Sequence, residues 1–187
     1  MSNWASCYRN YFTRYFGKPY DWETFRLDES SPPLQIAVHD RFMKDRRLFT
    51  SLGLTSFAAE IQEHAEVLLL TDAGWKEVPF LLANTLFFLA RRRIRLEPRI
   101  VIGGVGMLAP DFADQYDKDA LYFRPALNLP EVARTVECDG QIGLLYEALF
   151  VSESERLYIQ RLGGQSFEEK LTQQDADLGS LLRESCV

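Results

Sequence analysis

Two histidines are the residues of this 187-residue chain that are best suited to acid–base or metal chemistry. His39 is expected at the end of a strand, and His64 follows the acids Glu60 and Glu63, whose carboxylates could orient its imidazole ring. The inverted zincin motif HxxEH fails because Ile61 stands at its first ligand position. An enzyme or small-ligand site built from His64 with Glu60 or Glu63 is therefore an alternative to a surface histidine beside acids. We predict no catalytic, metal or cofactor residues.

A glycine-rich turn is the second place where the sequence could form a small-ligand site. The segment from Gly104 to Ala109 reads GxGxxA and follows an apolar run, as a dinucleotide-binding fingerprint would. Pro110 interrupts the helix that should receive the pyrophosphate, and no strand ending in an acid follows about twenty residues later. Gly103–Gly106 is therefore predicted to be a turn, with a small-ligand site there as the alternative.

The charge balance favours a basic protein partner over a nucleic acid. Asp and Glu number 27 against 21 Lys and Arg, which gives a net charge of −6. Binding to nucleic acid depends on neutralising phosphates, whereas an acidic surface attracts a basic protein. The basic run Arg91–Arg95, followed by Arg99, is expected to complement a helix dipole, with phosphate contact as an alternative.

The cysteines and the apolar runs predict a cytoplasmic protein that is not in a membrane. Cys7, Cys138 and Cys186 are odd in number and widely spaced, so neither a disulfide framework nor a zinc site is expected. Free thiols fit a reducing compartment. The apolar run Val78–Ala90 is too short to span a bilayer, and the N-terminus lacks the features of a secretory signal.

Helical periodicity begins the chain. Six aromatic residues fall on one face of a predicted helix: Trp4, Tyr8, Tyr11, Phe12, Tyr15 and Phe16. Ser2 is expected to cap this helix, and Gly17 and Pro19 are expected to end it. We interpret the aromatic face as packing against the domain core, with a partner-binding face as the alternative.

The middle of the chain reads as strands with one long helix. The predicted strands are Leu34–Val38, Leu48–Thr55, Val67–Leu70, Arg99–Ile102, Tyr122–Leu129, Ala133–Cys138 and Gln141–Val151. Asp139-Gly140 is a turn signal before the last strand, and Ser56–Ala65 is expected to be a loop or a single helical turn. A helix should start near Glu77, because Pro79 is tolerated only in a first turn. The acids between Asp111 and Asp119 read as a solvated loop.

The C-terminal third is predicted to be helical. Ser152-x-x-Glu155 and Ser166-x-x-Glu169 both have the form of a capping box, and Gly163-Gly164 separates them. Asp175 or Asp177 is expected to cap a third helix that carries Leu178, Leu181 and Leu182. We therefore predict an α+β fold: a central mixed, largely antiparallel sheet flanked by helices, with an aromatic N-terminal helix and a helical C-terminal third. One domain spans 1–187, with 1–27 packed on it and Asp28–Pro33 as a linker.

Ordered motifs along most of the chain resemble the suppressor of fused family. Phe49–Thr55, which reads FTSLGLT, resembles the family's "TLGLS" strand, and Ala65–Leu70 resembles its "ELxLxLP" strand. Trp75–Ala90 falls at the family's "LxxLA" helix, and Tyr146–Glu155 at its "Pxxxx-E" segment. Further similar pieces are Tyr15-Phe16-Gly17, Gly163–Phe167 and Leu182–Ser185. The sequence departs from the pattern at Val151 and at Thr71-Asp72, where the family commonly has prolines.

The resemblance implies a bacterial, single-domain, non-enzymatic protein-binding module. Animal members sequester a transcription factor, and many bacterial members resemble immunity proteins that bind and neutralise a toxin. The matched residues are mainly core strands and caps, so the resemblance assigns no partner-binding residues.

Overall fold

One eight-stranded sheet organises the chain, as seen in a computed structural model that describes residues 3–43, 45–126 and 134–187. The strands are β1 Asp21–Phe25, β2 Leu34–Met43, β3 Arg46–Leu52, β4 Ala65–Thr71, β5 Val101–Gly103, β6 Ala120–Pro125, β7 Thr135–Cys138 and β8 Gln141–Val151. The helices are α1 Trp4–Phe16, α2 Ala58–Ile61, α3 Val78–Arg92, α4 Val105–Leu108, α5 Pro110–Tyr116, α6 Glu153–Leu162 and α7 Gly164–Gln173. A short 3₁₀ turn, Leu54–Phe57, precedes α2. The predicted α+β class is confirmed.

The strand order is β1-β2-β3-β4-β8-β6-β5, with β7 paired to the other end of β8. Each pairing is antiparallel except that of β4 with β8, which is parallel. The turn Asp139-Gly140 has positive φ at both residues, 51° and 76°, as a tight hairpin between twisted strands requires. The long predicted strand Gln141–Val151 is therefore the central strand β8, with its predicted bounds.

The helix α3 covers one face of the sheet. Its buried residues, among them Leu82, Leu86 and Leu89, pack against side chains from β2, β3, β4, β6 and β8. Glu77 is the N-cap and proline stands at the start of the helix, so the predicted beginning is confirmed. The last turn carries Arg91 and Arg92, whose charges complement the negative end of the helix dipole.

Helices from both ends of the chain cover the opposite face. Trp4, Tyr8, Phe12 and Phe16 of α1 are buried over β3, β4 and one end of β8. The other end of that face, formed by β6 and β8, lies under α6 and α7. The predicted aromatic face is thus part of the core, with Tyr11 and Tyr15 partly buried at its margin. Asn3 caps α1 by accepting a hydrogen bond from Ser6, whereas the predicted cap Ser2 lies outside the described residues.

The expectation of three free thiols was wrong. Cys7 of α1 and Cys138 of β7 form a disulfide, with their Cα atoms 5.8 Å apart, and Cys186 remains a buried thiol. The sequence separation of 131 residues hid this pair, because only the fold brings α1 onto β7. The argument for a reducing compartment from free thiols no longer applies.

The C-terminal third contains fewer helices than predicted. The Ser152–Glu155 capping box of α6 is confirmed. Ser166 instead lies inside α7, which starts at Gly164 without a side-chain cap, so the second predicted box was wrong.

The predicted third C-terminal helix was also wrong, since Leu178–Leu182 form turns. Asp72 holds this segment by accepting hydrogen bonds from Ser180 Oγ at 2.7 Å and Leu181 N at 3.0 Å. These hydrogen bonds to a residue distant in sequence hold the segment in turns where a helix was predicted.

Three elements, β1, α4 and α5, were missed, and the strand predicted at Leu48–Thr55 extends beyond the end of β3. β1 precedes the predicted start of the sheet, and α5 occupies the acidic stretch that we expected to be a loop. Pro110 is favourable at the start of α5. The helix also buries Phe112, whose ring centroid lies 5.0 Å from that of Phe150. The Leu48–Thr55 prediction ends early because Gly53 turns the chain, with a φ of 104°. The parts of Tyr122–Leu129 and Ala133–Cys138 that fall at 127–133 lie outside the described residues.

Candidate functional site

His64 packs against an aromatic ring and is not organised for catalysis. Its ring stacks on Trp4 with centroids 5.0 Å apart, and its carbonyl accepts a hydrogen bond from Tyr8. Its Nδ1 has no partner in the part of the chain that the structure describes. Neither Glu60 nor Glu63 forms an ion pair with it among those residues. The arrangement supports a role in seating α1.

His39 is buried beneath the end of α1. Its Nε2 lies 3.3 Å from Thr50 Oγ1, and Phe16 meets its ring edge-on at 5.6 Å. Burial lowers the pKa of His39 to about 4, against the opposing effect of the Phe16 and Gly17 carbonyls. The imidazole is therefore neutral at physiological pH and acts as a core side chain.

Three buried carboxylates have structural partners. Glu66 on β4 accepts hydrogen bonds from Ser51 Oγ and from the backbone N–H of Gly53 at 2.8 Å, and so fixes the turn after β3. Burial raises the pKa of Glu66 to about 7, although these hydrogen bonds oppose the shift. Glu147 pairs with Arg124 at 2.8 Å, and Glu155 pairs with Arg183. Since partners satisfy each carboxylate, none is poised as a general base.

The glycine turn does not bind phosphate in the manner of a dinucleotide fingerprint. The backbone N–H groups of Gly104 and Val105 donate to the carbonyl of Asp119 at 3.1 and 2.9 Å, so they are not available to a ligand. The helix that follows, α4, has four residues and ends before Pro110. The predicted turn is limited to Gly104, because Gly103 ends β5 and α4 begins at Val105.

A groove nevertheless opens beside this turn, between α3, β5 and α4. Its volume is about 370 Å³, which falls in the range of small-molecule sites. Exposed apolar side chains line it, with Met107 87% and Phe88 42% exposed. Arg26 and Arg91 stand among its lining residues. We call this the apolar groove.

A second concavity lies beside the edge strand β1. It has a volume of about 450 Å³. Three acids and three aromatic side chains are among the residues that line it: Asp21, Glu23, Glu77, Tyr20, Trp75 and Tyr116. We call it the acidic cleft.

The charges of the acidic cleft are incompletely balanced. Arg47 and Lys76 also line it, and the Arg47 guanidinium lies 3.9 Å from the centre of the Trp75 ring. None of the three acids takes part in an ion pair with the residues that the structure describes. Partial burial raises the pKa of Glu23, and the negative charge of Asp21 raises it further. A cation brought into this cleft would relieve that repulsion.

Sequence reasoning missed the acidic cleft because it missed β1. The segment Asp21–Phe25 contains Trp22, Thr24 and Phe25, residue types that are enriched in strands, but it lies between a helix end and a predicted linker. The predicted linker begins where Asp28 accepts hydrogen bonds from Ser30 and Ser31, forming the turn between β1 and β2.

The predicted basic patch does not include Arg99 as an uncompensated charge. Arg91, Arg92 and Arg93 are exposed at the end of α3. Arg99 instead pairs with Glu168 of α7 at 3.0 Å, so its charge is compensated. No group of three or more His, Cys, Asp or Glu residues is positioned to hold a metal ion in residues 3–43, 45–126 and 134–187. Within the same ranges, no helix has both the length and the apolar character needed to cross a bilayer.

The architecture defines a class: a mixed sheet with α3 on one face and terminal helices on the other. A solved structure from Neisseria gonorrhoeae FA 1090, described as a candidate homologue of SUFU (suppressor of fused protein), superimposes with a TM-score of 0.75. The match covers 99% of this chain and 97% of that chain, at 15% sequence identity. No family model matches the sequence, and no curated protein matches it. The suppressor-of-fused-like fold implied by the sequence motifs is therefore confirmed.

Proposed function

We propose that this protein is a non-enzymatic binding domain that captures a basic protein partner, as an immunity protein captures its toxin. The acidic cleft carries the proposal, because its three carboxylates lack ion-pair partners among the described residues and lie beside exposed aromatic rings. Aromatic faces and carboxylates together favour Lys and Arg side chains. The net charge of −6 would steer a basic partner toward the protein.

Two further observations support the proposal that the protein binds a partner: the similarity in fold and the structural roles of the buried acids. The similar structure from Neisseria gonorrhoeae FA 1090 is described as a suppressor of fused homologue, and this description applies to that protein. In this chain the buried carboxylates hold turns and helix ends, which leaves surface acids for recognition. Neutralisation of a toxin and sequestration of another basic protein both fit this chemistry.

The test is capture of the native partner from its host by wild-type protein and by two charge-matched variants. The first variant carries Asp21→Asn, Glu23→Gln and Glu77→Gln in the acidic cleft. The second carries Glu137→Gln, Asp139→Asn and Glu169→Gln at exposed positions elsewhere. We expect a basic protein to be retained by wild type and by the second variant, lost by the first, and released as salt rises. Equal retention by both variants, or an acidic partner, would contradict the proposal.

The apolar groove supports a second candidate, the binding of a small apolar ligand at the glycine turn. The supporting observation is the exposure of Phe88 and Met107 in a concavity of about 370 Å³. Titration with 1-anilinonaphthalene-8-sulfonate should give a saturable fluorescence increase that Phe88→Asp removes and the cleft variant retains. An unsaturable signal, or one that is unchanged in Phe88→Asp, would remove this candidate.

A further inference from the structure

The edge of the sheet at β1 is open to another strand. β1 pairs with β2 on one side and ends the strand order on the other, among the residues that the structure describes. Trp22 is 39% exposed, and Asp21 and Thr24 are also exposed. An exposed strand edge presents backbone donors and acceptors that a further strand can use.

Hydrogen bonding shows which backbone groups of β1 face outward. The N–H of Trp22 donates to the carboxylate of Asp21 at 2.8 Å. The carbonyl of Val38, which lies opposite Asp21, points toward β1, since it accepts a hydrogen bond from Tyr20 N at 2.7 Å. Residues of an antiparallel edge strand alternate between bonding their neighbour and facing away. Trp22 and Thr24 therefore direct their backbone groups to the open side, while the Asp21 carboxylate satisfies one donor in the absence of a strand.

The acidic cleft lies on one side of that edge. Asp21 and Glu23 are two residues apart on β1 and so point to the same face, where both line the cleft. Trp22 and Thr24 point to the opposite face. A strand laid along β1 would direct alternate side chains toward the two acids and the others toward Trp22.

We propose that the basic partner contributes an extended segment that pairs with β1, with Lys or Arg at alternate positions facing Asp21 and Glu23 and apolar residues between them. This inference rests on the proposed function and adds the backbone conformation and residue pattern of the partner. Directly opposed side chains on neighbouring strands lie about 5 Å apart, and opposite charges there are favourable. A second copy of β1 is disfavoured, because like charges would then face each other.

The experiment measures binding of the full-length protein to synthetic peptides by isothermal titration calorimetry and by amide chemical shifts. The probe is an acetylated, amidated peptide Thr-Lys-Val-Lys-Val-Lys-Thr. One control peptide has the same composition with its lysines in a single block. A second control keeps the sequence and N-methylates alternate backbone amides, in two versions that cover both registers. On the protein, Thr24→Pro removes an outward N–H, and Thr24→Val is the matched control.

We expect the alternating peptide to bind with its shifts centred on β1, and the block peptide to bind at least about fivefold more weakly. One N-methylated version and the Thr24→Pro protein should lose binding, whereas Thr24→Val should retain it. If Thr24→Pro does not fold, the N-methylated peptides still decide the matter. Equal binding of both N-methylated peptides would overturn strand pairing while leaving the acidic cleft as a basic-partner site. If no peptide binds, the inference fails, and the capture experiment decides the proposed function separately.

Discussion

The two helical layers on one face of the sheet are held in place by different physical means. α1 lies over β3 and β4 through buried aromatic rings and the Cys7–Cys138 disulfide. α6 and α7 lie over β6 and also depend on polar groups, including the Glu155–Arg183 pair. The buried ion pair of Arg124 and Glu147 stands on the same sheet face, on β6 and β8. One layer is therefore sensitive to redox state and the other to the loss of a single charge.

Opening the disulfide should give the largest effect. Cys7 and Cys138 close a loop of 131 residues, and the chain-entropy model assigns such a cross-link about 5 kcal/mol of stability. We expect Cys7→Ser, or reduction of the wild type, to lower the free energy of unfolding by up to that amount in urea titrations. Reduction of Cys7→Ser should cause no further loss. Equal stability of oxidised and reduced wild type would contradict the assignment.

Removing the charge of Glu155 should come next. Glu155 accepts hydrogen bonds from Arg183, Ser152 N at 3.0 Å and Cys186 N at 3.2 Å. Burial tends to raise the pKa of Glu155, but the hydrogen bond and charge of Arg183 hold it below its ordinary value. We expect Glu155→Gln to cost about 4 kcal/mol, because a buried guanidinium loses its counter-charge. The exposed neighbour variant Glu153→Gln should cost less than about 0.5 kcal/mol; comparable losses would show that the pair is unimportant.

Acid should weaken the α1 layer at a higher pH than the α6–α7 layer. The pKa of His39 is about 4 in the folded protein and about 6.5 when unfolded, so the unfolded state binds the proton more readily. The contribution of His39 to stability should therefore fall as pH decreases from about 6.5 to 4, by up to about 3 kcal/mol. Protonation of Glu66, whose pKa is raised to about 7, acts in the opposite direction over the same range. Urea titrations should therefore compare the pH slope of the wild type with that of His39→Gln, and the difference between the two slopes is the effect of His39. An unchanged slope in that variant would assign the pH dependence to other groups.

Adding a side-chain atom beneath α1 at Gly143 should cause the smallest loss of stability of the four changes. A Cβ at Gly143 would stand 2.4 Å from Tyr8 Oη and 2.8 Å from Trp4, where no room exists. We expect Gly143→Ala to cost about 2 kcal/mol by thermal unfolding, in the range of overpacked cores. At Gly106 the nearest atom would be 3.6 Å away, so Gly106→Ala should be close to neutral. If the two variants behave alike, α1 is not seated as tightly as described.

Local signals predicted the elements that they govern directly. The aromatic spacing gave α1, Pro79 gave the start of α3, and the Ser152–Glu155 capping box gave α6. Each of these depends on residues within one or two turns of helix. β8 was also predicted, because a long apolar run beside Asp139-Gly140 is a strong hairpin signal.

Features that depend on distant residues were not predictable from local patterns. The disulfide needs α1 on β7, and the failure of the third C-terminal helix needs Asp72 beside Ser180. The acidic cleft draws its lining from β1, from the segment before α3 and from α5. Glu77 is far in sequence from Asp21 and Glu23, so no spacing rule brings the three acids together.

The parallel pairing of β4 with β8 has a consequence for synthesis. About 70 residues separate the end of β4 from the start of β8, so a ribosome adding about 5–20 residues per second leaves the β4 edge unprotected for about 4–14 seconds. During that interval the nascent chain carries an apolar strand that lacks its neighbour. The middle of the sheet is therefore completed last, and a chaperone that shields Val67–Leu70 would act in this window.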